Sequence, residues 1–491
     1  MVENPRLVLG LKVRTLRHRR GETLRTLAER SGLSVSYLSE IEKGKKYPKP
    51  ERLVLLAGAL DVPFDELVSL QVADELSQLK TAFNSPLLRG FPFELFGLEP
   101  EDLLALVSGD PERGSALLRA VAEVGRSYDV HVEHFLLSAL RAYQQLHANY
   151  FEDLEIEAMA FRRRCGWTAA QRVAMPELVS VLRQEWSYTI DEERIGEEPE
   201  LAGFRSVHLP EEGSTLFLNP RLMPSQRAFV LAREIGFRCL DLAERAPSSP
   251  WLAVESFDQV FNNFKASYFA GALLIDREPL RKDLGKLFGA ERWDAVAVER
   301  LMDSYGVTPE TFLHRLTQIA PRYFGLNEFF FLRFSTAAPP GLSRLTKWLN
   351  TSEVAVPRGF GLSEHYCRRW PALRLLDEAG GLVAPEERVV TAQRVWFVDD
   401  EAEFLEFSMA RPLALGDGAL STVSVGFLAG GNLRRKVRFW SDPALDRVEV
   451  GLTCERCKLA ECTDRVVPAS ILDRLQEQLQ KERALQRLGS A

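Results

Sequence analysis

The sequence contains no apolar run that approaches the length needed to span a membrane, and its N-terminus shows no signal-peptide pattern. These two absences predict a cytoplasmic protein with no membrane partner. Disulfides are uncommon in that compartment, so the six cysteines are expected to be free or to bind a metal. Three of them fall within nine residues, which favours a metal site.

Length and charge set the next limits. A chain of 491 residues is too long for a single hydrophobic core, so we expect about two to four domains. The net charge is −7, yet residues 1–70 hold 13 Lys and Arg against 9 Asp and Glu. A basic head on an acidic body suits a protein that touches DNA at one end only.

Residues 23–50 have the pattern of a helix, a tight turn and a second helix. Thr23 can cap the first helix through its hydroxyl, and Ser34 can cap the second. Gly32 lies at the turn, where a helix-turn-helix motif requires a positive φ angle. The second helix has apolar residues at helical spacing, and these are expected to be buried: Val35, Leu38 and Ile41.

The remaining side chains of the second helix are polar or aromatic and are expected to face outward. In such motifs this helix enters the major groove with its N-terminal end. Candidate DNA-contacting residues on and just after it are Ser34, Ser36, Tyr37, Glu40 and Lys43. Candidate phosphate contacts come from four cations: Arg14, Arg17, Lys45 and Lys46.

This head resembles the lambda-repressor-like, XRE-type DNA-binding family over residues 6–70. The resemblance is carried by Leu27-Ala28, Gly32, the run SVSYLSEIEKGK at 34–45, and Pro48. One departure is Leu24, where many members have a glutamine that helps to fix the helix on DNA. The resemblance implies a five-helix domain that binds double-stranded DNA. The alternative is a helical hairpin with no DNA partner.

The run SQRAFVLAREIGFRCL at 225–240 resembles the active-site helix of the ImmA/IrrE metallopeptidases. In that family two histidines one turn apart bind zinc, and a glutamate acts as the base. Glu234 and Gly236 fit the pattern, but Arg233 and Phe237 occupy the ligand positions. Neither side chain can bind zinc, because guanidinium stays protonated and phenyl has no lone pair. We therefore expect the scaffold without the peptidase activity.

A centre that has lost its metal can still bind a ligand. Cations suit phosphates, and an aromatic wall suits a nucleotide base or an acyl chain. With the helix at 261–275, which resembles the third helix of the same domain, the candidate ligand-binding residues are Arg233, Phe237, Phe264, Lys265 and Tyr268. In the alternative interpretation, Phe237, Phe264 and Phe269 simply fill the emptied centre as core.

The C-terminal part changes to a period of two, which predicts strands at 394–398, 421–428 and 436–440. Gly430-Gly431-Asn432 is expected to form a hairpin turn between two of them. An antiparallel sheet is the simplest arrangement, and a polar helix is expected at 468–488.

The cysteine cluster lies after this sheet and has C-x2-C-x4-C spacing at Cys454, Cys457 and Cys462. Cys367 is the fourth ligand by elimination, because Cys165 and Cys239 lie in helical or core-like surroundings. Four thiolates suit zinc or an iron–sulfur cluster. Spacing alone slightly favours structural zinc.

The whole arrangement resembles the short-chain fatty-acyl transcriptional regulators of the PrpR/RamB type. These combine an XRE-type head, a degenerate ImmA/IrrE-like middle, a CRRW element and a cysteine run followed by R-x-x-P. Here these elements are Cys367-Arg368-Arg369-Trp370, the three cysteines and Arg465-Val-Val-Pro468; a histidine-rich stretch common in relatives is reduced to His365. The resemblance implies a sensor of short-chain acyl-CoA with a [4Fe–4S] cluster that controls propionate, acetate and glyoxylate metabolism.

We therefore expect a multidomain, mainly α DNA-binding regulator that acts as a homodimer and is not an enzyme. Rival hypotheses are a metallopeptidase, a redox or iron sensor, and a phage-type or toxin–antitoxin repressor. A breaker-rich stretch at 336–343 predicts a linker or domain edge. The expected segments are a helix-turn-helix head at 1–70, a helical linker and dimerisation region at 71–160, a degenerate ImmA/IrrE-like α+β sensing domain at 161–335, and an α+β regulatory domain with an antiparallel sheet and the cysteine site at 345–491.

Overall fold

The fold is given by a computed structural model of the chain. It divides into two compact units, Met1–Ala139 and Leu140–Ala491. The described residues are 5–42, 45–69, 95, 132–209, 214–252, 254, 256–337, 342–357, 364–416 and 418–489. Lys43 and most of the predicted helical region at 71–160 lie outside them. The dimer expected from that region therefore stays a prediction.

The first unit begins with the five short helices expected of the head, so this prediction is confirmed. They are α1 (Pro5–Arg19), α2 (Leu24–Ser31), α3 (Val35–Glu42), α4 (Pro50–Ala59) and α5 (Phe64–Val68).

Local hydrogen bonds explain where α2 and α3 begin and end. The Thr23 hydroxyl accepts the Thr26 N–H at 3.2 Å and caps α2. Gly32 ends α2 with φ at +68°, the left-handed conformation that glycine adopts at least cost. The Ser34 hydroxyl accepts the Tyr37 N–H at 3.2 Å and caps α3. All three features were predicted.

The core of the head takes one face of each helix. Leu38 and Ile41 of α3 are fully buried, as expected, but Val35 is 44% exposed. The prediction for Val35 was wrong because the first turn of α3 extends past the edge of the core. The other fully buried members of this core include Val13, Leu27, Leu56 and Leu60.

The sequence boundary between the two units lies within helix α6 (Val132–Leu146). In the second unit, three helices that the sequence predicted are confirmed. The helix predicted at 225–240 is observed at Pro224–Cys239, the helix predicted at 261–275 at Phe257–Leu274, and the polar helix predicted at 468–488 at Ser470–Gly489. The helices are α7 (Glu152–Arg164), α8 (Met175–Trp186), α9 (Arg194–Glu197), α10 (Pro224–Cys239), α11 (Phe257–Leu274), α12 (Arg277–Phe288), α13 (Ala295–Tyr305), α14 (Pro309–Phe324), α15 (Pro371–Glu378), α16 (Gly431–Lys436) and α17 (Ser470–Gly489).

A small four-stranded sheet lies beside α10. Its strands are β1 (Thr189–Asp191), β2 (Ser206–Leu209), β3 (Thr215–Leu218) and β4 (Ser248–Ser249). The order is β1-β3-β2-β4, with β1 parallel to β3 and the other pairs antiparallel.

A larger six-stranded sheet follows, in the order β10-β7-β8-β9-β5-β6. All neighbours are antiparallel except β10 and β7. Its strands are β5 (Phe329–Ala337), β6 (Leu342–Asn350), β7 (Val389–Phe397), β8 (Ala402–Pro412), β9 (Leu420–Leu428) and β10 (Arg447–Val450).

The two faces of this sheet enter different cores, because successive side chains of a strand point to opposite faces. Phe329 and Phe331 of β5 pack in one core with the helices that precede the sheet. Phe330 and Phe334 pack on the other face, in a second core with Trp370 at the start of α15. The strand β5 is thus shared between the helical part and the C-terminal part.

The linker predicted at 336–343 is wrong. Ala337 of β5 pairs with Leu342 of β6, so the breaker-rich stretch joins two strands of one hairpin. Since β5 also pairs with β9 over seven residues, a boundary at 335 would cut a continuous sheet. A stretch rich in proline can connect two strands of one sheet as readily as two domains.

The strand predicted at 436–440 is also wrong. Gly430 precedes the helix α16, and a 3-10 helix follows at Arg438–Ser441. Val437 and Phe439 are buried, but over five residues a helical turn buries such a pair as well as a strand does. Gly430-Gly431-Asn432 therefore starts a helix and forms no hairpin turn. The strands predicted at 394–398 and 421–428 fall within or next to β7 and β9.

The architecture is multidomain and mixed α+β, where mainly α was expected. Within the described residues, no helix combines the length and the apolar character that crossing a membrane requires.

Candidate DNA-binding surface and candidate ligand centre

The exposed side of α3 carries the predicted DNA-contacting side chains. Ser34, Ser36 and Glu40 are exposed and Tyr37 is half-buried. The hydroxyls of Ser34 and Ser36 lie 3.3 Å apart, which places two small polar groups at the N-terminus of the helix. This end of the helix therefore presents hydrogen-bonding groups without bulk, as a helix that enters a groove requires.

The Tyr37 ring is held between two cations. The Lys46 Nζ is 5.2 Å from its centre and the Arg52 Cζ is 4.6 Å away. Lys46 also pairs with Glu40 at 3.0 Å. Arg52 was missed by the sequence analysis, because it lies on the next helix and only the tertiary fold brings it to α3. These cations add positive charge to the candidate DNA-binding surface.

The phosphate contact predicted for Arg17 is wrong. Arg17 is buried and forms two hydrogen bonds, at 2.6 and 2.8 Å, to the carboxylate of Glu42 at the end of α3. It ties α1 to the recognition helix instead. Arg14 is half-buried beside it, and burial lowers the pKa of its guanidinium. Lys45 and Lys46 are exposed, as expected for phosphate contacts.

In the second unit, α10 and α11 pack closely at Gly236. A Cβ added there would lie 3.0 Å from the Ala266 carbonyl oxygen and 3.1 Å from the Phe269 ring. The glycine that fits the ImmA/IrrE pattern therefore permits close helix packing. Little space is left between the two helices at this level.

Glu234, the residue that corresponds to the catalytic base, is completely buried and paired with Arg245. The two guanidinium nitrogens of Arg245 donate to its two carboxylate oxygens at 2.8 and 2.6 Å, and the Tyr188 hydroxyl donates at 3.2 Å. Burial alone would raise the pKa of Glu234, but the Arg245 charge and its hydrogen bonds hold this pKa below its ordinary value. Both carboxylate oxygens thus accept hydrogen bonds, and the group is held in its ionised form.

Phe237, at one former ligand position, lies against the same cation. The Arg245 guanidinium carbon is 4.0 Å from the centre of the Phe237 ring. A carboxylate that is buried and ion-paired in this way is a poor proton acceptor, because the Arg245 charge favours its ionised form. Arg245 lies beyond the end of α10 in an irregular segment, so no periodic pattern in the sequence indicates it.

The structure does not bring the five predicted ligand residues into one cavity. Phe237 packs with Leu242 and Ala266. Phe264 and Tyr268, on the other side of α11, pack in a separate cluster with Phe151 and Leu154. Both phenylalanines are core residues, as the alternative interpretation held. Lys265 is half-buried, and burial lowers its pKa.

Tyr268 belongs to a buried polar network. Its hydroxyl donates to Glu155 at 2.8 Å and accepts the Phe151 N–H at 3.1 Å. Arg315 donates to the same Glu155 carboxylate, at 2.8 Å for its second oxygen. This network joins α7, α11 and α14, so Tyr268 has a structural role at this position.

A surface cleft of about 660 Å³ lies in front of that aromatic cluster. The Tyr143 and Phe151 rings stack at 5.4 Å, and the His147 ring lies 4.5 Å from Tyr143. Its volume is in the range of small-molecule sites. The cleft is lined by Tyr143, His147, Tyr150, Phe151, Glu152, Asp153 and Arg322. These residues come from the end of α6, the start of α7 and α14, and the sequence analysis did not single them out.

The segment around Cys367 lies against the cysteine turn. Tyr366 and Thr453 form a β-bridge, the Cys367 N–H donates to the Leu452 carbonyl at 3.2 Å, and the Cys454 N–H donates to the His365 carbonyl at 2.8 Å. The fold therefore brings together the two segments from which a shared site was predicted.

The four cysteines of the predicted site differ in how deeply they are buried. Cys367, Cys454 and Cys457 are buried, while Cys462 is half-buried. Burial raises the pKa of Cys367 to about 11. Arg465 of the R-x-x-P element donates to the carbonyl oxygens of Cys454 at 2.7 Å and of Cys457 at 3.2 Å, which orders the turn. Among the described residues, no three Cys, His, Asp or Glu side chains converge as metal ligands.

Two family models match the chain. The helix-turn-helix model matches residues 13–67, and the model of the IrrE N-terminal-like domain matches residues 188–317. The chain carries both domains. The first match covers the head with α3, and the second covers Glu234, Arg245 and the small sheet.

Three similar proteins are regulators by name. A propionyl-CoA carboxylase regulator from Cereibacter sphaeroides is 23% identical over 475 residues, which cover 94% of this chain and 95% of that protein. The transcriptional regulator ClgR from Mycobacterium tuberculosis is 41% identical over 58 residues, 12% of this chain and 52% of that protein. A solved Mycobacterium tuberculosis transcriptional regulator is 18% identical with a TM-score of 0.48, and the match covers 68% of this chain and 94% of that one.

The chain thus combines a helix-turn-helix domain, the DNA-binding module of its head, with an IrrE N-terminal-like domain. Where the IrrE-like pattern has two histidines around a glutamate, this chain has Arg233 and Phe237 around Glu234, and Glu234 is paired with Arg245.

Replacing Arg245 by glutamine should destabilise the regulator by about 3–5 kcal/mol at pH 7, because Glu234 would remain buried without a counter-charge. The Glu234 pKa would then rise above its unfolded value, so the variant should lose stability as the pH rises from about 5 to 8. In the native Glu234–Arg245 pair the Glu234 pKa is lowered instead. The stability that this pair contributes is therefore lost only as the pH falls below about 4. Urea unfolding at several pH values measures both effects.

Two further variants are the controls for this measurement. The double variant Glu234→Gln with Arg245→Gln should recover most of the loss, and Arg163→Gln, at an exposed arginine, should change little. A loss below about 1 kcal/mol without pH dependence in the single variant would show that Glu234 does not depend on the Arg245 charge.

Proposed function

We propose that this regulator binds an operator through α3 and changes its DNA binding in response to a short-chain acyl-CoA, in control of propionate-type carbon metabolism. The observation that carries the proposal is the combination, in one chain, of a helix-turn-helix head with an exposed polar side on α3 and an IrrE-like domain whose Glu234 is paired with Arg245. The Cereibacter sphaeroides relative, 95% of which is covered by the match, is named a propionyl-CoA carboxylase regulator. This name supports a short-chain acyl-CoA as the signal.

On DNA, Ser34 and Ser36 would contact base edges at the start of α3. Tyr37 would contact the adjoining backbone or base, since the cations Lys46 and Arg52 hold its ring. Lys45 would meet a phosphate. Two heads in a homodimer would read two related half-sites.

For the ligand, we propose the aromatic cleft as the binding place. Stacked rings such as Tyr143 and Phe151 accept the flat adenine of a coenzyme A, and Arg322 lies at the same cleft for a phosphate. The predicted residues Phe264 and Tyr268 support the Phe151 ring from behind, at 5.2 and 5.4 Å. Ligand binding alters DNA binding only if the two states of the protein differ in affinity for it.

The four cysteines would hold a metal centre, a [4Fe–4S] cluster or structural zinc. Two observations support this set: the backbone contacts between the Cys367 and Cys454 segments, and the ordering of the turn by Arg465. A bound centre would join the start of α15 to the C-terminal turn. Closely placed thiols also favour redox state or iron supply as a second candidate signal.

DNA binding is tested by adding a negative charge to the recognition helix. Ser36→Glu should lower affinity at least about tenfold by repelling phosphates, while the fold should hold, because an acidic residue suits a helix N-terminus. Sites selected from random duplexes supply the probe, and fluorescence anisotropy supplies the affinity.

The matched control is Ser180→Glu on the exposed surface of α8, which should bind DNA as the parent does. Equal affinity of the Ser36→Glu variant would refute the assignment of α3 to the groove.

Acyl-CoA sensing is tested by calorimetry of the full chain with propionyl-CoA. Tyr143→Leu keeps apolar volume but removes the stacking ring, so affinity should fall on the order of tenfold. Arg163→Gln should bind like the parent.

Absence of heat from the parent protein at millimolar propionyl-CoA would rule out acyl-CoA as the signal. Full binding by the Tyr143→Leu variant would rule out the cleft as the site.

The cysteine site is tested by metal analysis of anaerobically purified protein. An iron–sulfur cluster of the expected type should give about four iron and four sulfide per chain with a brown colour, and Cys457→Ser should lose it. Cys165→Ser is the control, because that cysteine lies at the end of α7. Metal content that is unchanged in the Cys457→Ser variant would contradict the ligand set.

A further inference from the structure

Cations gather at one end of the helix-facing side of the six-stranded sheet. Arg333 of β5 lies next to Lys347 of β6, and Arg411 lies on β8. From the IrrE-like part, Arg205 precedes β2 and Arg233 lies on α10. We name Arg205, Arg233, Arg333 and Arg411 the arginine cluster.

One carboxylate lies close enough to form ion pairs with cations of this group. Glu310, near the start of α14, lies 3.5 Å from Arg333 Nε and 3.3 Å from Lys347 Nζ. Its charge also acts on Arg205 and Arg411, together with the repelling charges of their arginine neighbours. Glu234 also acts on Arg233, but its charge is offset by that of Arg245, which pairs with it and repels Arg233. Among the described residues, the cluster therefore has far more positive than negative charge.

The hydrogen-bond partners of the cluster are weak. Arg411 is 9% exposed, and the acceptor for its Nη1 is the Met223 thioether at 2.9 Å. Arg233 reaches the Ser249 and Ser206 hydroxyls at 3.4 Å each, and its buried Nε has no acceptor in the part of the chain that the structure describes.

Of the other two members, Arg333 has the Glu310 carboxylate as a partner. Arg333 Nε donates to the Ser421 hydroxyl at 3.3 Å. For the Arg205 side chain, the described residues supply nearby charge and no hydrogen-bond acceptor. A guanidinium carries five N–H donors, and donors buried without acceptors cost about 1–3 kcal/mol each. Burial lowers the pKa of Arg233 and Arg411 to about 10, so both remain charged at neutral pH.

We propose that the arginine cluster is a binding site for a phosphate-type oxyanion. Such an anion offers several acceptors and two negative charges, and it can bind guanidinium groups through paired hydrogen bonds. The serines of β2, β4 and β9 that now serve as distant acceptors can donate to the anion instead. The ligand is free phosphate or diphosphate, or the phosphate end of a larger metabolite.

This inference is independent of the aromatic cleft. No residue is common to the cleft and the arginine cluster, so failure of acyl-CoA binding at Tyr143 leaves the anion site untouched. If the larger metabolite were itself a coenzyme A, the two sites would hold different parts of it or different molecules.

The test is thermal unfolding of the full chain in phosphate-free buffer, with diphosphate, phosphate, coenzyme A or chloride added at equal ionic strength. A ligand at a hundredfold its Kd should raise the unfolding midpoint on the order of 5 °C, and chloride should not. A rise with diphosphate supports a free anion as ligand. A rise with coenzyme A alone supports the phosphate end of a metabolite only when the cluster variants lose it, because coenzyme A bound in the aromatic cleft would also raise the midpoint.

Variants show whether the arginines cause the rise. Arg205→Gln and Arg411→Gln each remove one repelling cation, so without anion they should unfold at or above the parent midpoint. Each should then lose most of the rise on addition of anion, whereas Arg163→Gln should keep it. No rise with any phosphate compound in the parent protein, or an undiminished rise in both cluster variants, would overturn the proposal.

Discussion

A charge buried at the centre of the IrrE-like domain decides what this domain can do. Glu234 is inaccessible to solvent, and such a carboxylate is stable only with a cation and hydrogen bonds around it. Arg245 supplies both, and its guanidinium also covers the Phe237 ring. The chain therefore balances the Glu234 charge with one of its own side chains. The closed centre and the tight packing at Gly236 leave ligand binding to other surfaces of the domain.

The six-stranded sheet connects those surfaces. Its strand β5 has one face in the core of the IrrE-like helices and the other in the core beneath α15. Trp370, which begins α15, follows Cys367 by three residues and donates its indole N–H to the Gly451 carbonyl beside the cysteine turn. The arginine cluster lies on the helix-facing side of the same sheet. The sheet is thus the packed element that these regions share.

Much of the architecture follows from local sequence patterns. The head was predictable because caps, a turn glycine and apolar spacing all act over a few residues, as at Thr23, Gly32 and Ser34. The helix with Glu234 and the loss of its metal ligands were also readable, since they depend on residue types one turn apart. Predictions for short segments were wrong because a local pattern of few residues is ambiguous. At 436–440 a five-residue pattern fits a strand and a helical turn equally well.

The sequence by itself determined the helix-turn-helix head, the helix that carries Glu234 with Arg233 and Phe237 in place of histidines, and the close spacing of three cysteines, because each of these is a property of neighbouring residues. Only the tertiary structure decided that Arg17 ties α1 to α3, that Arg245 pairs with Glu234, and that Phe237 lies in a different core from Phe264 and Tyr268. The partners in these interactions lie on different elements, and their pairing depends on burial and charge in three dimensions, which no spacing along the chain encodes.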